Sequence, residues 1–501
     1  VEIADIFGGQ AEVTGAGVAA ALGKGSVGEL LKSMSVGATF PAQIGDLNPG
    51  QLMATVPQDL DDVLHNMSFD PRKHTFLFRE THHDKVWSTV HQYVRKQSQG
   101  SLGRRFMFHQ EGGLPPESDS TYTLEQVAMK FAGSVRRLPI QARLVKSIAG
   151  NTVKAQNKDG AEEILAGIEW AMLYGNPTVN PMTFEGIKQS MIREGISLDA
   201  GGIAPTEALI DEGMERITER PNWGYPTDIL CSPRMHKTIR QVYAPRMRSM
   251  LGKAFHPNYS LKGMTFDHCA EGDEVRIRKH PLAIEEAPVC DELGAGPDPS
   301  KRPVLPIVIS QPTPANDADS LYGNGQAARA GGVVKYRAVA INEYGMSVPL
   351  TLNDANIGAG QSAPFTIKDG AVPGALNRAT GFIIYRTEPG LLAPTATQID
   401  EISAASGANV TYTDRAENLP GCSDLFLLSN NREALCWKQL LPFFNFPLGN
   451  LDTSYRWALL LFGALKIALP RHHAVIRNVK PDLALRQVFG PGDQSSAQAN
   501  L

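Results

Sequence analysis

KDGAEEILAGIEWAMLYGN, Lys158 to Asn176, is the stretch on which the reading of this chain turns. Ile164, Leu165, Ile168 and Met172 recur at helical spacing and fall along one stripe. Gly175-Asn176 suit a C-terminal cap, and Pro177 cannot continue a helix. The spacing predicts a helix over 159–175. Towards the amino terminus the composition turns to strands. Thr75 to Phe78 and Trp87 to Val94 are rich in aromatic and β-branched residues, as is Arg104 to His109. A polar tip follows, Glu111 to Ser120 (EGGLPPESDS). The return strand alternates, with Val127, Met129 and Phe131 on one expected face and Gln126, Ala128 and Lys130 on the other. The pattern is a long two-stranded arm. Such an arm is marginal alone in water, so a neighbouring subunit is its natural support.

Towards the carboxyl terminus two more helices are expected. One spans 206–219, opening at Thr206 after Pro205; the other has Ser232 as N-cap and Pro233 in its first position. Met235, Ile239 and Val242 form the apolar stripe of the latter, and Pro245 should kink or interrupt it. Residues 229–266 carry seven bases (Arg234, Lys237, Arg240, Arg246, Arg248, Lys253 and Lys262) and no carboxylate. A solvated or intersubunit basic face is favoured there over a nucleic-acid surface, because the whole chain is acidic. Over 300–425 helical periodicity vanishes, and short strands alternate with Gly, Pro and Asn turns, the pattern of a β-sandwich. VVKYRAVAINEYGMSV (Val333–Val348) and GFIIYR (Gly381–Arg386) resemble immunoglobulin- and fibronectin-like strands, in an order reversed from the usual fibronectin module. Trp457 to Leu465 is dense and apolar. The first 60 residues are Gly-punctuated, and the tail beyond Pro481 is polar at its end.

Composition narrows the function. The 501 residues are 42% hydrophobic and 20% charged, the balance of a globular chain of several domains. A net charge of −4 gives no basic excess for dedicated duplex binding. Five Cys are too few for a disulfide framework and read as reduced thiols in a cytosolic setting. No apolar run is long enough to span a bilayer, and no secretory signal is read at the start. Gly23-Lys24-Gly25-Ser26 lacks the Ser or Thr directly after Lys that a phosphate loop needs. Adjacent His82-His83 and His472-His473 point apart, and no Cys-x-x-Cys, metalloprotease helix or nucleophile elbow occurs. Cys231, Cys269, Cys290, Cys422 and Cys436 are read as half-buried small apolar residues. No catalytic, cofactor or metal site is expected.

The order of parts resembles the major capsid protein of tailed bacteriophages, of the Hong Kong 97 type. Trp87 to Tyr93 (WSTVHQY), leading to Glu111-Gly112-Gly113-Leu114-Pro115, looks like the approach to that family's extended loop. Lys158 to Asn176 looks like its spine helix. Pro226 to Pro233 (PTDILCSP) looks like its axial strand entering a helix, and Trp457 to Asn478 (WALLLFGALKIALPRHHAVIRN) like its closing segment. The resemblance implies an α+β capsid fold: an extended N-terminal arm (1–74), a long β-hairpin loop region (75–145), a spine helix and peripheral domain (146–180), and an axial domain (181–299). An inserted immunoglobulin/fibronectin-like β-sandwich (300–425), a closing segment (426–480) and a loose tail (481–501) complete it.

What the resemblance implies for function is an icosahedral shell enclosing double-stranded DNA. Copies would gather as pentamers and hexamers, assembled in the bacterial cytoplasm, with no membrane. Portal, scaffold or decoration proteins are implied as further partners, and packaged DNA as a non-specific one. The start at Val1 would agree with removal of a preceding segment by a maturation protease. On this reading Arg104, Arg105, Arg136 and Arg137 flank the hairpin, Glu111, Glu117 and Asp119 sit at its tip, and these charges pair across subunits. The competing readings are a virion surface or tail protein whose sandwich binds a glycan or receptor, and an undetected hydrolase or transferase.

Overall fold

The computed structural model describes residues 75–98, 108–113, 119–141, 152–250, 265–268, 273–283, 300–323, 329–342, 344–371, 375, 377–391, 396–404, 408–449 and 453–481. The described chain opens with helix α1 (Phe76–Glu80) and strand β1 (His82–Lys85). A ribbon follows, β2 (Val90–Ser98) and β3 (Thr121–Ala128), and then β4 (Lys130–Pro139). The long helix α2 spans Thr152–Tyr174, starting earlier than the periodicity alone marks. It ends where expected, with the Gly175 N–H returning to the Ala171 carbonyl. Helix α3 (Ile187–Arg193), β5 (Ile196–Asp199), helix α4 (Glu207–Thr218), β6 (Asp228–Cys231), helix α5 (Pro233–Met250), β7 (Thr265–His268) and β8 (Asp273–Lys279) come next. The Ser232 hydroxyl accepts from the Met235 N–H, so the expected N-cap is made, and the Thr206 hydroxyl caps its own helix by accepting from the Leu209 N–H.

The described residues of 307–414 form eleven strands: β9 (Ile307–Ser310), β10 (Ala315–Asn316), β11 (Gly332–Val334), β12 (Tyr336–Asn342), β13 (Gly345–Met346), β14 (Leu350–Thr351), β15 (Ala355–Ile357), β16 (Gln361–Lys368), β17 (Gly381–Arg386), β18 (Thr397–Ser403) and β19 (Asn409–Asp414). One antiparallel sheet has the order β13-β12-β17-β18 with β14 also on β12; a second has β10-β16-β19 with β9 also on β16. Tyr336, Ala338, Phe382 and Ile384 of the first meet Ala363, Phe365 and Ile367 of the second in one apolar core. A buried ion pair crosses that core. Arg386 Nη1 donates to both Asp414 oxygens, at 2.8 and 2.6 Å, and the Tyr322 and Tyr336 hydroxyls donate to Oδ2 at 2.8 and 2.6 Å. Burial alone would raise the Asp414 pKa; the Arg386 charge and the Tyr336 hydrogen bond outweigh it and hold the group below its ordinary value.

The chain closes with β20 (Ser423–Leu428), β21 (Leu435–Pro447), β22 (Ser454–Ile467) and β23 (Ala474–Val479). These complete two sheets begun much earlier. The first is six-stranded, β5-β23-β20-β6-β8-β7. In β20, Phe426 and Leu428 face the core under α2, while Leu425 and Leu427 face the core under α4 and α5. Both faces are therefore covered, which explains a strand with no polar alternation. The second sheet is four-stranded, β1-β21-β22-β4. Trp457, Leu459, Leu461 and Leu465 of β22 point inward with Trp437, against Ile164, Ile168 and Met172 of α2. Approach is close at two glycines. A Cβ at Gly160 would lie 2.4 Å from Leu459 Cδ1, and one at Gly463 would lie 2.6 Å from the Trp437 ring.

Three expectations fail. Thr75 to Phe78 is not a strand: Phe76–Glu80 is helical, because a remote carboxylate described below satisfies its first amides. The return strand does not keep one parity. Met129 lies outside both β3 and β4 and is buried, whereas Phe131 is 61% exposed, so the inward face switches there. The arm is accordingly two pieces, since β3 pairs only with β2 and β4 joins the four-stranded sheet. Finally, α5 runs past Pro245 to Met250, so the interruption offered there as one of two alternatives, beside a kink, does not occur.

Candidate assembly surface

The β2–β3 ribbon has two unlike faces because successive side chains alternate. His91, Tyr93 and Arg95 with Thr123, Glu125 and Val127 turn inward and are half-buried. They anchor the ribbon: the Tyr93 hydroxyl donates to the Ile467 carbonyl at 3.3 Å, and Arg95 Nη1 donates to Glu194 Oε2 at 2.6 Å. Lys466 Nζ sits 4.3 Å from the Tyr93 ring centroid. On the outer face Val90 lies opposite Ala128, Gln92 opposite Gln126, Val94 opposite Leu124 and Lys96 opposite Tyr122. Val94 and Leu124 are 65% and 66% exposed, although directly paired apolar side chains of this size normally bury themselves.

The four-stranded sheet repeats the pattern. Its inner face packs on α2; the ribbon reaches the sheet at Lys466 and Ile467, while the stretch that carries Phe131, Val135, Phe444 and Phe446 lies exposed. In register across it run Phe446, Ala458 and Val135, then Phe444, Leu460 and Gly133, then Leu441, Phe462 and Phe131. The Phe131 and Phe462 rings meet edge to face at 4.8 Å, and Phe444 and Phe446 are 6.4 Å apart. Phe131, Val135, Phe444 and Phe446 are all exposed. Ribbon and sheet thus each leave a row of large apolar side chains exposed, the kind of surface that marks an interaction site.

The sequence-predicted charges are scattered over this region. Arg136 lies on the inner face of β4 and pairs with Glu163 of α2, which also accepts from the Ser134 hydroxyl at 3.0 Å. Arg137 lies on the outer face, and its Nε donates to the Ser454 hydroxyl at 3.0 Å. Adjacent strand positions face opposite ways, so the two arginines cannot act as one pair. Glu111 and Asp119 are exposed. Arg104, Arg105 and Glu117 lie outside the described residues, as do the N-terminal arm, the tail, Cys269 and Cys290. Sequence reasoning missed the outer apolar face. Its signal was present in Val90/Val94 and Tyr122/Leu124, which are second apolar sets on strands that already have an inward set.

Beside this surface Asp84 of β1 accepts from Lys438 Nζ at 2.7 Å, from Arg432 Nη2 at 3.0 Å and from the Cys436 thiol at 3.1 Å. The Lys438 hydrogen bond holds the Asp84 carboxyl well below the usual range. Burial, with the Asp84 acceptor second, pushes the Cys436 thiol up to about 11, and burial pushes the Cys422 thiol up to about 12. Both stay protonated at neutral pH and are poor nucleophiles. A cleft of about 370 Å³ between β4 and α2 has Glu163 as its only carboxylate, already engaged by Ser134 and Arg136. Among the described residues no three His, Cys, Asp or Glu side chains converge as a metal site, and no helix is long and apolar enough to cross a membrane.

A second joint fixes α1. Glu169 of α2 is fully buried; its Oε1 accepts from the Leu77 N–H at 2.8 Å and from His280 Nε2 at 2.9 Å, and its Oε2 accepts from the Phe78 N–H at 2.8 Å. Thr75 supplies no side-chain cap, so Glu169 caps α1 from another element.

No family model matches the chain. It is similar to the major capsid protein of Staphylococcus phage S25-3, with 22% identity over 436 residues, covering 84% of this chain and 89% of the relative. The major capsid protein of Staphylococcus phage K matches at 22% identity with the same coverage. Among solved structures, the capsid of Myoviridae phage XM1 aligns at 9% identity and a TM-score of 0.38, over 84% of this chain and 97% of that one. Gordonia phage Cozz aligns at 8% and 0.41, over 88% and 99%.

Proposed function

We infer that this chain is a structural subunit that self-assembles into the capsid shell of a tailed bacteriophage. The observation that carries the reading is the similarity to phage major capsid proteins along 84% of this chain and 89% of theirs. The surface chemistry supports it. A shell subunit needs broad contact faces more than a pocket, and the outer faces of the ribbon and the four-stranded sheet are broad, apolar and open. Many copies of such contacts act together, so each can be weak.

The finer picture is also proposed. The shell is icosahedral, built from pentamers and hexamers, assembled in the host cytoplasm, and encloses double-stranded DNA that it touches without specificity. Portal, scaffold and decoration proteins are its other partners. Its role is structural rather than catalytic. The expected divisions at 75, 146, 181, 300, 426 and 481 stand as proposed domain boundaries, with 300–425 as an added immunoglobulin/fibronectin-like module. Arg104, Arg105, Glu111, Glu117, Asp119, Arg136 and Arg137 stand as proposed contacts between subunits; unchanged assembly of an Arg104→Glu/Arg105→Glu variant would remove the first two.

Negative-stain electron microscopy of the purified chain, with sedimentation, tests the reading. Closed shells, or rings of five and six, are expected. Val94→Lys/Leu124→Lys should keep the fold, since both side chains are about two-thirds exposed, and lose assembly. A chain that stays monomeric or dimeric at high concentration under every salt condition refutes the proposal.

A further inference from the structure

We propose that neighbouring copies of this chain meet head to tail, with the acidic end of α4 in one copy against the basic start of α5 in the next. The proposal rests on the shell-subunit reading and names one contact within it. Charge is sharply segregated between the two segments. Residues 206–220 hold five carboxylates (Glu207, Asp211, Glu212, Glu215 and Glu219) against two bases, Arg216, which pairs with Glu212, and Arg220. Residues 229–266 hold seven bases and no carboxylate. Glu212, Glu215 and Glu219 are exposed, as are Lys237 and Lys279, and Arg234 is half-buried. Lys279 ends β8 in register with Cys231, immediately before the Ser232 cap of α5, so it extends the basic spot.

The placement keeps the two spots apart within one copy. Both helices cover one face of the six-stranded sheet and share a core, with Ile210, Met214 and Ile217 from α4 and Met235 and Ile239 from α5. Helix α4 contacts β5 and β23, while α5 contacts β8. The strand order sets these towards opposite ends of the sheet, roughly 15 Å apart at the usual strand spacing. The chain also runs from the end of α4 through β6 to the start of α5, which separates the spots along the strand direction.

The charges oppose their own helices. A helix dipole favours carboxylates in the first turn and bases in the last. Here Arg234 and Lys237 stand at the start of α5, and Glu215 and Glu219 at the end of α4. The dipole interaction of these groups is unfavourable to their own helices. Each dipole instead adds to the local charge, making the α4 end more negative and the α5 start more positive. Beside the acidic end, Trp223 and Tyr225 are about half exposed, and Arg220 stacks on Trp223 at 5.3 Å. Exposed aromatics ringed by charge are the usual centre of a protein contact.

Two like-charged spots repel, so a two-fold contact that sets either spot against itself is disfavoured. A two-fold pair can still set each spot against the opposite one of its partner; it is the rings of five and six in the proposed shell that require the heterologous form, in which each copy offers one spot to either neighbour.

The test uses the full chain carrying Glu215→Lys/Glu219→Lys or Arg234→Glu/Lys237→Glu. Each reversal agrees with its helix dipole, and circular dichroism checks that both variants fold. Each alone should raise the critical concentration for assembly about ten-fold or more, because a like-charged pair then faces itself. Mixed in equal amounts, the two should co-assemble, and only into even-membered rings, since copies must alternate. Combining all four substitutions in one chain should restore assembly. Assembly of each single-face variant at the wild-type critical concentration would overturn the proposal. So would folded variants that fail to associate when mixed. Normal assembly of the α5 variant with lost binding to a DNA duplex would make the basic spot a polyanion surface instead. A wild-type chain that never assembles would remove the shell reading itself, and this contact with it.

Discussion

Replacing Glu169 should loosen the entry of the described chain without disturbing the sheets. In Glu169→Gln the side chain keeps its shape and one acceptor oxygen. The amide nitrogen then faces a donor, either the Phe78 N–H or the pair formed by the Leu77 N–H and His280 Nε2, which lie 2.8–2.9 Å from the present oxygens. One buried donor left unsatisfied costs about 1–3 kcal/mol. Glu169→Ala strands all three donors and opens a cavity, for roughly 3–6 kcal/mol in all. The effect is local, because α1 has no cap of its own. Amide hydrogen exchange reads it directly. Exchange at Leu77 and Phe78 should accelerate roughly ten- to hundred-fold in the Gln variant and further in the Ala variant, at about 1.4 kcal/mol per factor of ten. Amides of Phe426 and Leu427, in the middle of the six-stranded sheet, should keep their protection. Wild-type exchange at Leu77 and Phe78 in the Gln variant would refute the claim that Glu169 holds α1.

Gly463→Ala should cost about 1–3 kcal/mol by overpacking and shift the fluorescence of the Trp437 indole, which the new methyl would meet at 2.6 Å. Arg386→Met should destabilise residues 300–425 by about 3–5 kcal/mol, measured by denaturation, because it leaves Asp414 charged and buried. His473 is fully buried, and burial, with the His472 charge second, lowers it to about 3. Its folded pKa is depressed, so the unfolded chain binds the extra proton. The stability from the neutral ring is complete above pH 6.5 and drains as pH falls towards 3, with about 2 kcal/mol gone by pH 5. His473→Gln should flatten that part of the acid-unfolding curve.

What the sequence made legible were features decided locally. The stripe Ile164, Ile168 and Met172 is buried as the spacing required, and Thr206 and Ser232 cap the helices they precede. The failures lie where a distant residue decides. Thr75 to Phe78 has strand composition, yet Glu169, some ninety residues away, supplies the acceptors that make it a helix. The parity switch at Met129 follows from β4 leaving the ribbon for β22, a pairing across more than three hundred residues. Pro245 does not interrupt its helix, which continues to Met250. The candidate surface was read as charge at the hairpin flanks. Its larger part is the apolar outer face, visible only once register shows which side chains the core does not use.

The four-stranded sheet draws its strands from the two ends of the described chain: β4 ends at Pro139 and β21 begins at Leu435. A ribosome adding roughly 5–20 residues per second takes on the order of 15–60 s to cross that gap. Until Phe444, Phe446 and Leu460 arrive to stand beside Phe131 and Val135, the broad sticky face does not exist. Nascent chains on one polysome therefore lack the sheet half of the apolar surface, and that half forms only after translation has passed Leu460.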